Sequence, residues 1–259
     1  MDRVVNGVGP VLAIVPARGG SKGIPRKNVR EVAGHPLIAY SIAAGLAAEH
    51  VDRVLVTTDD EEIAGVARAY GADVPFRRPR ELAADDTPDL PVFLHALDWL
   101  DREEAYRPEI IVHLRPTSPL RRVTDIDAAV RLLADHQTAD AVRGVCEPFQ
   151  NPYKMWRIGG DGLMAPLLQG EMPEPYNQPH QKLPRVYWQT GYIDVIRRRT
   201  LVDLRSMTGR TLFPLILDQD SWVDIDTPAA LDYADFLVRS GQSCTVMPRR
   251  VDPQEVRTS

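Results

Sequence analysis

Four cations surround three glycines in the stretch VPARGGSKGIPRKN, residues 15–28, which overlaps the end of the apolar run VLAIV. Glycine frees the backbone for the left-handed region, so that successive N–H groups can converge on one point. The cations are Arg18, Lys22, Arg26 and Lys27, and the glycines are at 19, 20 and 23. Such a loop at the end of a buried strand is typical of an anion-binding site. A solvated basic surface loop is the alternative that the stretch alone leaves open.

A second stretch, WVDIDTPAALD at residues 222–232, contains two carboxylates separated by one residue. If this stretch begins as a strand, Asp224 and Asp226 lie on the same face and point at one position. Paired carboxylates suit Mg²⁺, which takes its remaining ligands from water and phosphate oxygens. Alternatively, Asp226 helps to cap the following helix and Asp224 pairs with an arginine. With the basic loop, the carboxylates supply what phosphoryl or nucleotidyl transfer needs.

The overall composition limits the class of protein. The chain has 259 residues, of which 44% are hydrophobic and 26% charged, as expected of a globular protein with a substantial core. Its net charge of −5 argues against a nucleic-acid binder but allows a local basic pocket. Cys146 and Cys244 form no metal or disulfide pattern, which fits a reducing cytoplasm. The apolar run at 11–17 is too short to span a bilayer, so we expect no membrane anchor.

Short apolar runs alternate with helical periodicity through the first 145 residues. The runs predict strands at 11–15, 53–58, 72–76, 109–114 and 139–145, and the spacing of apolar residues predicts helices at 36–49, 60–71, 90–103 and 123–136. This alternation predicts right-handed crossovers and an α/β fold, in which helices cover both faces of a mostly parallel sheet.

The alternation breaks at about residues 146–186, which are rich in proline and contain a Gly-Gly-Asp-Gly turn. We expect a hairpin within an irregular arm there. Strands at 186–196, 211–217 and 221–225 and a helix at 228–239, capped by Thr227, complete the fold. We therefore predict one domain over residues 11–239, followed by a poorly ordered tail at 240–259.

Six ordered blocks of the chain resemble the acylneuraminate cytidylyltransferases, also called CMP-sialic acid synthetases, and their relatives acting on other nonulosonic acids. The blocks are VPARGGSKGIPRKN, GHPLIAYSI, VTTDD, RRPRELAADDTP, LRPTSPLR and WVDIDTPAALD, within about residues 11–238. The resemblance implies a Rossmann-like nucleotidyltransferase that joins CTP to a nine-carbon α-keto acid sugar with Mg²⁺, giving the CMP-sugar and pyrophosphate. It also implies a homodimer, in which the arm reaches over the partner's active site.

The resemblance further assigns roles to single residues. Cations that match the family's catalytic triphosphate site are Arg18, Lys22 and Lys27. Positions that match nucleotide contacts are Ala17, Gly19, Gly20, Asn28, Arg78, Asp86 and Thr87, with Asp85 in the same block. Sugar-binding positions correspond to Arg115, Thr117, Ser118, Lys154, His180, Gln189, Thr190 and Gly191, and metal carboxylates to Asp224 and Asp226. A surface role for Arg78, a solvated Lys154 and a His180 without function are the alternatives.

Several positions on the sugar side depart from the family pattern. Arg115 stands where the family usually has glutamine, and it adds a bidentate clamp for a carboxylate or phosphate. Thr190 and Asp194 stand in place of the usual asparagine and a later tyrosine, and His180 lies where an arginine is usual. We therefore expect a nonulosonate-like acidic sugar rather than N-acetylneuraminate itself. Another anionic acceptor, such as a sugar phosphate or phosphonate, and a non-catalytic nucleotide-binding homologue are the alternatives.

Overall fold

A computed structural model of the chain describes residues 9–168, 172–218 and 222–251. The strands are β1 (Val11–Pro16), β2 (Glu31–Val32), β3 (His35–Pro36), β4 (Arg53–Thr57), β5 (Ile110–His113), β6 (Ala141–Cys146), β7 (Trp156–Ile158), β8 (Met164–Pro166), β9 (Trp188–Arg197) and β10 (Leu212–Ile216). The α-helices are α1 (Leu37–Ala47), α2 (Glu61–Ala69), α3 (Asp89–Glu104), α4 (Val123–Asp135), α5 (Arg198–Val202) and α6 (Pro228–Arg239). None of these helices is long and apolar enough to cross a membrane.

Six strands form the central sheet in the order β10-β6-β9-β5-β1-β4. Every pairing is parallel except those of β9, which runs antiparallel to both β5 and β6. Ala13 of β1 pairs with Val54 on one side and with Val112 on the other. The structure confirms the predicted α/β fold class with a mostly parallel sheet.

Strand β1 is buried on both faces, because its alternate residues enter two different cores. Ala13 and Val15 pack into one core with residues of α1, α2 and α4. Leu12 and Ile14 pack into the opposite core with residues of α3 and α5. An uninterrupted apolar run is what a parallel strand covered on both faces requires. The carboxyl end of β1 is therefore a rigid base for the glycine loop that follows.

Two predicted strands are absent. At 72–76, only Asp73 makes an isolated bridge to Leu55, and the proline at 75 has no N–H to extend the ladder. Over 221–225, the described residues 222–225 are irregular, and a single backbone bond from Ile225 N to Thr117 O (2.8 Å) links them to the loop after β5. Helix α6 starts as predicted, with Thr227 Oγ1 accepting from Ala230 N.

The arm contains the predicted hairpin, in which β7 and β8 pair antiparallel around Gly162 at a φ of 79°. Residues 169–171 of the arm lie outside the described residues. After α6 the chain returns to the domain: Thr245 Oγ1 donates to Pro119 O at 2.8 Å, and Val251 N donates to Ala69 O at 3.0 Å. Residues 240–251 of the predicted tail are thus described and bond to the domain, and residues 252–259 lie outside the described part.

Candidate active site

A cavity of about 440 Å³ opens at the carboxyl ends of β1 and β5. Pro16, the last residue of β1, and His113, the last of β5, contribute to its wall. The predicted site residues in the wall are Arg18, Lys22, Lys27, Asn28, Arg78, Thr87, Arg115, Thr117 and Asp226. Open α/β sheets bind ligands at this edge, where loops from several strands converge. The fold thus brings the basic loop and one of the paired carboxylates into a single cleft.

The glycine loop is held against the end of β4. Ala17 N donates to Thr57 O at 3.0 Å, and Gly19 N donates to Asp59 Oδ1 at 2.9 Å. These two N–H groups already have protein acceptors, so we correct their assignment from nucleotide contacts to loop anchors. A side chain at Gly19 would lie 2.8 Å from a carboxylate oxygen of Asp60, whereas the position of Gly20 is open. Gly20 is exposed and does not line the cavity, so a side chain there would meet no described residue.

Arg18 and Lys22 share one carboxylate across the cleft. Arg18 Nη1 lies 2.8 Å from Asp85 Oδ1, and Lys22 Nζ lies 2.6 Å from Asp85 Oδ2. The hydrogen bond from Lys22, together with the charge of both cations, lowers the pKa of Asp85 below its ordinary value. The two cations thus already bind an anion. Asp86, the neighbouring residue that we assigned to the nucleotide, is exposed and outside the cavity wall.

Lys27 joins the glycine loop to the acidic segment. Its Nζ donates to Ile225 O at 2.8 Å and to Asp226 Oδ1 at 3.0 Å. A Cβ at Gly23 would lie 2.8 Å from the backbone oxygen of Asp226, so only glycine permits this approach. Arg26 points away, with its guanidinium bound to Asp60 and Glu62. Three of the loop's four cations therefore serve the cleft.

Asp224 is a largely buried carboxylate beside Asp226. Burial raises its pKa above the ordinary value, and the charge of Asp226 adds to this effect, while a hydrogen bond with Thr117 opposes it. Within the described part of the chain, Asp224 Oδ1 has no hydrogen-bond partner. Strand alternation was the wrong reason for this pairing, since the segment is irregular. A buried carboxylate oxygen without a partner, next to a second carboxylate, fits a divalent cation that takes one or two protein carboxylates.

The described residues contain no cluster of three or more histidine, cysteine, aspartate and glutamate side chains suited to a metal. A cation at Asp224 and Asp226 would therefore need further ligands from water or from a bound phosphate. This requirement matches a metal that arrives with a nucleotide rather than one enclosed by protein ligands.

Arg78 forms a buried part of the wall, which excludes the alternative of a surface arginine. Its Nε donates to Thr57 Oγ1 at 3.2 Å, and its Nη2 donates to Thr57 O. Burial lowers the pKa of this guanidinium to about 10. Nη1 makes no hydrogen bond to any described residue, so it is the donor that remains for a ligand. Two bonds to one threonine thus orient the third donor of Arg78.

The opposite wall carries a network around Arg115. Arg115 Nη1 donates to Asp194 Oδ2 at 3.0 Å, and Nη2 donates to Asp89 Oδ2 at 3.1 Å. Arg143 Nε forms an ion pair with Asp194 Oδ1 at 2.8 Å. His113 is fully buried, which lowers its pKa well below the ordinary value, and the charge of Arg115 adds to this effect. Sequence reasoning missed Asp89 and His113, although each lies at the end of an element that adjoins a predicted block.

The other predicted sugar contacts lie outside the cavity wall. Thr190 Oγ1 is buried and donates to Gly144 O at 2.9 Å, and Ser118 is equally buried. In this structure both side chains are therefore buried away from the cavity. Gln189 accepts a hydrogen bond from Arg143 at 3.0 Å. Gly191 lies under Arg115, because an added Cβ would be 3.5 Å from the Arg115 Cδ.

Lys154 and His180 lie in the arm and do not line the cavity. Lys154 Nζ donates to Gln178 O at 2.8 Å and to Tyr176 O at 3.3 Å. His180 lines a separate cavity of about 200 Å³ between the two ends of the arm. Within one chain, neither side chain contributes to the wall that the cations and carboxylates share.

Comparisons with known proteins now assign the chain to a family. A family model described as Cytidylyltransferase matches residues 12–154, more than half of the chain. This chain belongs to the cytidylyltransferase family. It is 31% identical over 239 residues to the CMP-N,N'-diacetyllegionaminic acid synthase of Legionella pneumophila, covering 91% of this chain and 99% of the relative. The family resemblance and the enzyme class of the sequence analysis, a nucleotidyltransferase, are confirmed.

One further relative and one solved structure extend the comparison. The N-acylneuraminate cytidylyltransferase of Escherichia coli is 32% identical over 223 residues, covering 83% of this chain and 49% of that protein. A solved structure of CMP:2-keto-3-deoxy-manno-octonic acid synthetase complexed with CTP superposes with a TM-score of 0.67 at 17% identity. That superposition covers 90% of this chain and 100% of that one. At this identity, the likeness confirms the Rossmann-like fold.

Proposed function

We propose that this cytidylyltransferase joins CTP to an acidic sugar of the nonulosonate type, giving the CMP-sugar and pyrophosphate. The observation that carries the proposal is the meeting of the phosphate-loop cations with the Asp226 carboxylate in one cleft, through the contact of Lys27 with Asp226. The names of relatives that make CMP-linked legionaminic acid or activate N-acylneuraminate support the acceptor class.

In the proposed reaction, the anomeric hydroxyl oxygen forms a bond to the α-phosphorus of CTP. The bond from that phosphorus to the pyrophosphate oxygen breaks, and the hydroxyl proton passes to water. Arg18 and Lys22 would then bind the β- and γ-phosphates in place of Asp85. Negative charge grows on the departing pyrophosphate, so these cations stabilise the transition state more than the ground state.

We assign Mg²⁺ to Asp224 and Asp226. When bound, it supplies charge neutralisation at the phosphates. Thr117 holds one carboxylate through its hydrogen bond with Asp224, and Lys27 holds the other through its contact with Asp226. Keeping the Asp224 carboxylate partly buried costs free energy, and its raised pKa reflects that cost. A bound cation would offset it.

The nucleoside would lie between the glycine loop and Arg78. Arg78 has one oriented donor left for a ligand, and Asn28 is fixed at the loop by its Nδ2 bond to Arg18 O at 3.0 Å. Thr87 completes this side of the wall. We assign these three residues to the nucleotide.

We further propose that the protein is a homodimer in which the arm of one protomer completes the site of the other. Lys154 and His180 are outside the cavity of their own chain, so they could act on an acceptor only in a second chain's cleft. The hairpin exposes large apolar residues, including Ile158 (74% exposed), Leu163 and Met164. Burial of such a surface against a partner would be favourable. We place the protein in the cytoplasm, where its two free cysteines stay reduced.

A sugar phosphate or phosphonate is the less favoured acceptor. Arg115 and Arg143 are balanced by two carboxylates, Asp194 and Asp89. This set has no surplus positive charge for a phosphate dianion. A single carboxylate that replaces Asp89 keeps the balance, which favours an acidic sugar.

The test is product formation with a panel of acceptors. The protein is incubated with Mg²⁺ and CTP, UTP, ATP or GTP, together with nonulosonic acids, shorter keto-acid sugars and sugar phosphates. We expect pyrophosphate release and a CMP conjugate, detected by mass spectrometry, with CTP and a nonulosonic acid. Conjugates formed only with a sugar phosphate would contradict the acceptor class. Tight CTP binding without turnover on any acceptor would favour a binding protein.

A further inference from the structure

Asp194 lies in strand β9, next to the wall of the cleft that carries Arg115, and is 1% exposed. A carboxylate at such depth is costly unless cations compensate it. Arg115 Nη1 bonds to its Oδ2 and Arg143 Nε approaches its Oδ1. His113 Nδ1 lies 3.8 Å from Oδ2, and burial keeps this imidazole neutral. Asp194 is therefore a buried anion held between two arginines.

The two amino groups of Arg115 have different kinds of partner. Nη1 bonds to Asp194, which is fixed in the sheet. Nη2 bonds to Asp89, the first residue of α3, whose side chain is 41% exposed. The Arg115 side chain itself is 26% exposed and lines the cavity. One end of the guanidinium is thus anchored in the core, and the other end holds a carboxylate that solvent reaches.

The bond between Arg115 and Asp194 is not needed to hold the backbone of the loop that carries Arg115. The carbonyl oxygen of Arg115 accepts from Ser41 Oγ at 3.0 Å and from Arg121 Nη2 at 3.1 Å. Arg121 is fully buried and also donates to Tyr192 O at 2.7 Å. These bonds already fix the backbone, so the contact with Asp194 orients the side chain alone.

We propose that Asp194 is a positioning residue for acceptor recognition, which fixes Arg115 so that Nη2 receives the acceptor's carboxylate in place of Asp89. This inference rests on the proposed function and adds the device that selects the acceptor. Arg143 supports Asp194 from β6, and its own position is set by Gln189 Oε1 at 3.0 Å and Met207 O at 3.4 Å. Because the guanidinium is planar, the bond from Nη1 to Asp194 also sets the direction of the N–H groups on Nη2.

The first test is the isosteric change Asp194→Asn, with steady-state kinetics for both substrates. We expect the KM for the acceptor to rise about tenfold to a hundredfold, the scale of a hydrogen bond to a charged group. The KM for CTP should stay within about twofold, since the triphosphate cations are on the other wall. Asp98→Asn, which removes the exposed partner of Arg102, is the matched control and should change neither constant.

A double variant of Arg115 and Asp194 shows whether Asp194 positions Arg115 or has only a general structural role. If Asp194 acts through Arg115, the double variant Arg115→Gln with Asp194→Asn should raise the acceptor KM no further than Arg115→Gln alone. Asp89→Asn should have the opposite effect and lower the acceptor KM. Asp89 competes with the acceptor carboxylate for Arg115, and this variant removes its charge. A structural role for these residues predicts no such reversal.

Several outcomes would overturn the inference. They are equal effects of Asp194→Asn on the acceptor and CTP constants, additive effects in the double variant, or a raised acceptor KM in Asp89→Asn. If Asp194→Asn fails to bind CTP in calorimetry, the opposite signs of Arg115→Gln and Asp89→Asn decide the question. If the wild-type protein converts no acidic sugar, both the proposed function and this inference are overturned. If the variants change the KM values for the acceptor and for CTP to the same extent, the inference alone is overturned.

Discussion

The ammonium of Lys27 lies 3.0 Å from Oδ1 of Asp226, across 199 positions of the chain. The same lysine donates to the carbonyl oxygen of Ile225, and Gly23 allows the loop to approach the backbone of Asp226. The loop proposed to bind phosphate and the segment proposed to bind the metal are therefore one physical unit. A change in either should affect the chemical step as well as binding.

Asp226→Asn keeps the shape of the side chain but removes its charge, so we expect kcat to fall by about two orders of magnitude or more. The fold should persist, because Asp226 is largely exposed. Circular dichroism and pyrophosphate release measure the two properties. Asp232→Asn on the exposed side of α6 is the control and should retain activity. Full activity of Asp226→Asn would refute the metal assignment.

Asp85→Asn removes the carboxylate that neutralises Arg18 and Lys22. We expect CTP to bind several-fold more tightly, since the nucleotide no longer displaces an internal anion. Isothermal titration calorimetry measures the dissociation constant, with Glu103→Gln on α3 as a charge-matched control. Weaker CTP binding by Asp85→Asn would mean that this carboxylate contacts the nucleotide directly.

Arg18→Ala should lower kcat by about a hundredfold while weakening CTP binding much less, because charge on the leaving pyrophosphate develops in the transition state. Steady-state kinetics and CTP titration separate the two effects. Arg30→Ala, an exposed arginine just beyond the loop, should leave both unchanged. A raised KM at unchanged kcat would limit Arg18 to ground-state binding.

Asp224→Asn should stabilise the metal-free protein while it abolishes activity. The pKa of this group is raised in the folded state, so its ionised form opposes folding at neutral pH. This cost shrinks as the pH falls through the raised pKa and is gone below the ordinary pKa of an aspartate. We expect the Tm at pH 7 to rise by about 2 °C, and the gain to shrink on acidification. Thermal unfolding with and without Mg²⁺ tests this, since the metal should stabilise the wild type more than the variant. A lower Tm for the variant at pH 7 would contradict the argument.

Complementation between inactive protomers tests the arm. Lys154→Ala and Asp226→Asn should each lose activity as pure proteins. Co-expressed, mixed dimers contain one cleft with intact carboxylates that receives an intact arm, so about a quarter of the wild-type activity should return. Two variants in the same cleft, Asp226→Asn with Arg18→Ala, should not complement. No recovery in the first pair would place Lys154 in its own chain or outside the reaction.

Local patterns predicted each of the six strands of the central sheet and the basic loop, although they also predicted two strands that are absent. Uninterrupted apolar runs predicted β1 and β5, because a strand covered by helices on both faces cannot alternate. Glycines next to cations singled out the loop that lines the cleft, and at Gly23 only glycine allows the close approach to the backbone of Asp226. Both signals depend only on residues that are neighbours in the sequence.

Long-range packing decided the rest. Asp224 and Asp226 meet without the predicted strand, because Ile225 bonds to Thr117 from a distant loop. Arg115, which we expected to bind the ligand, is paired with Asp194 from an antiparallel strand. Thr190 is buried and donates its hydroxyl hydrogen bond to Gly144 O. Asp85 faces Arg18 only because its loop folds over the end of β1. Which charges neutralise each other depends on distances between segments far apart in the chain, and residue types and spacing do not specify those distances.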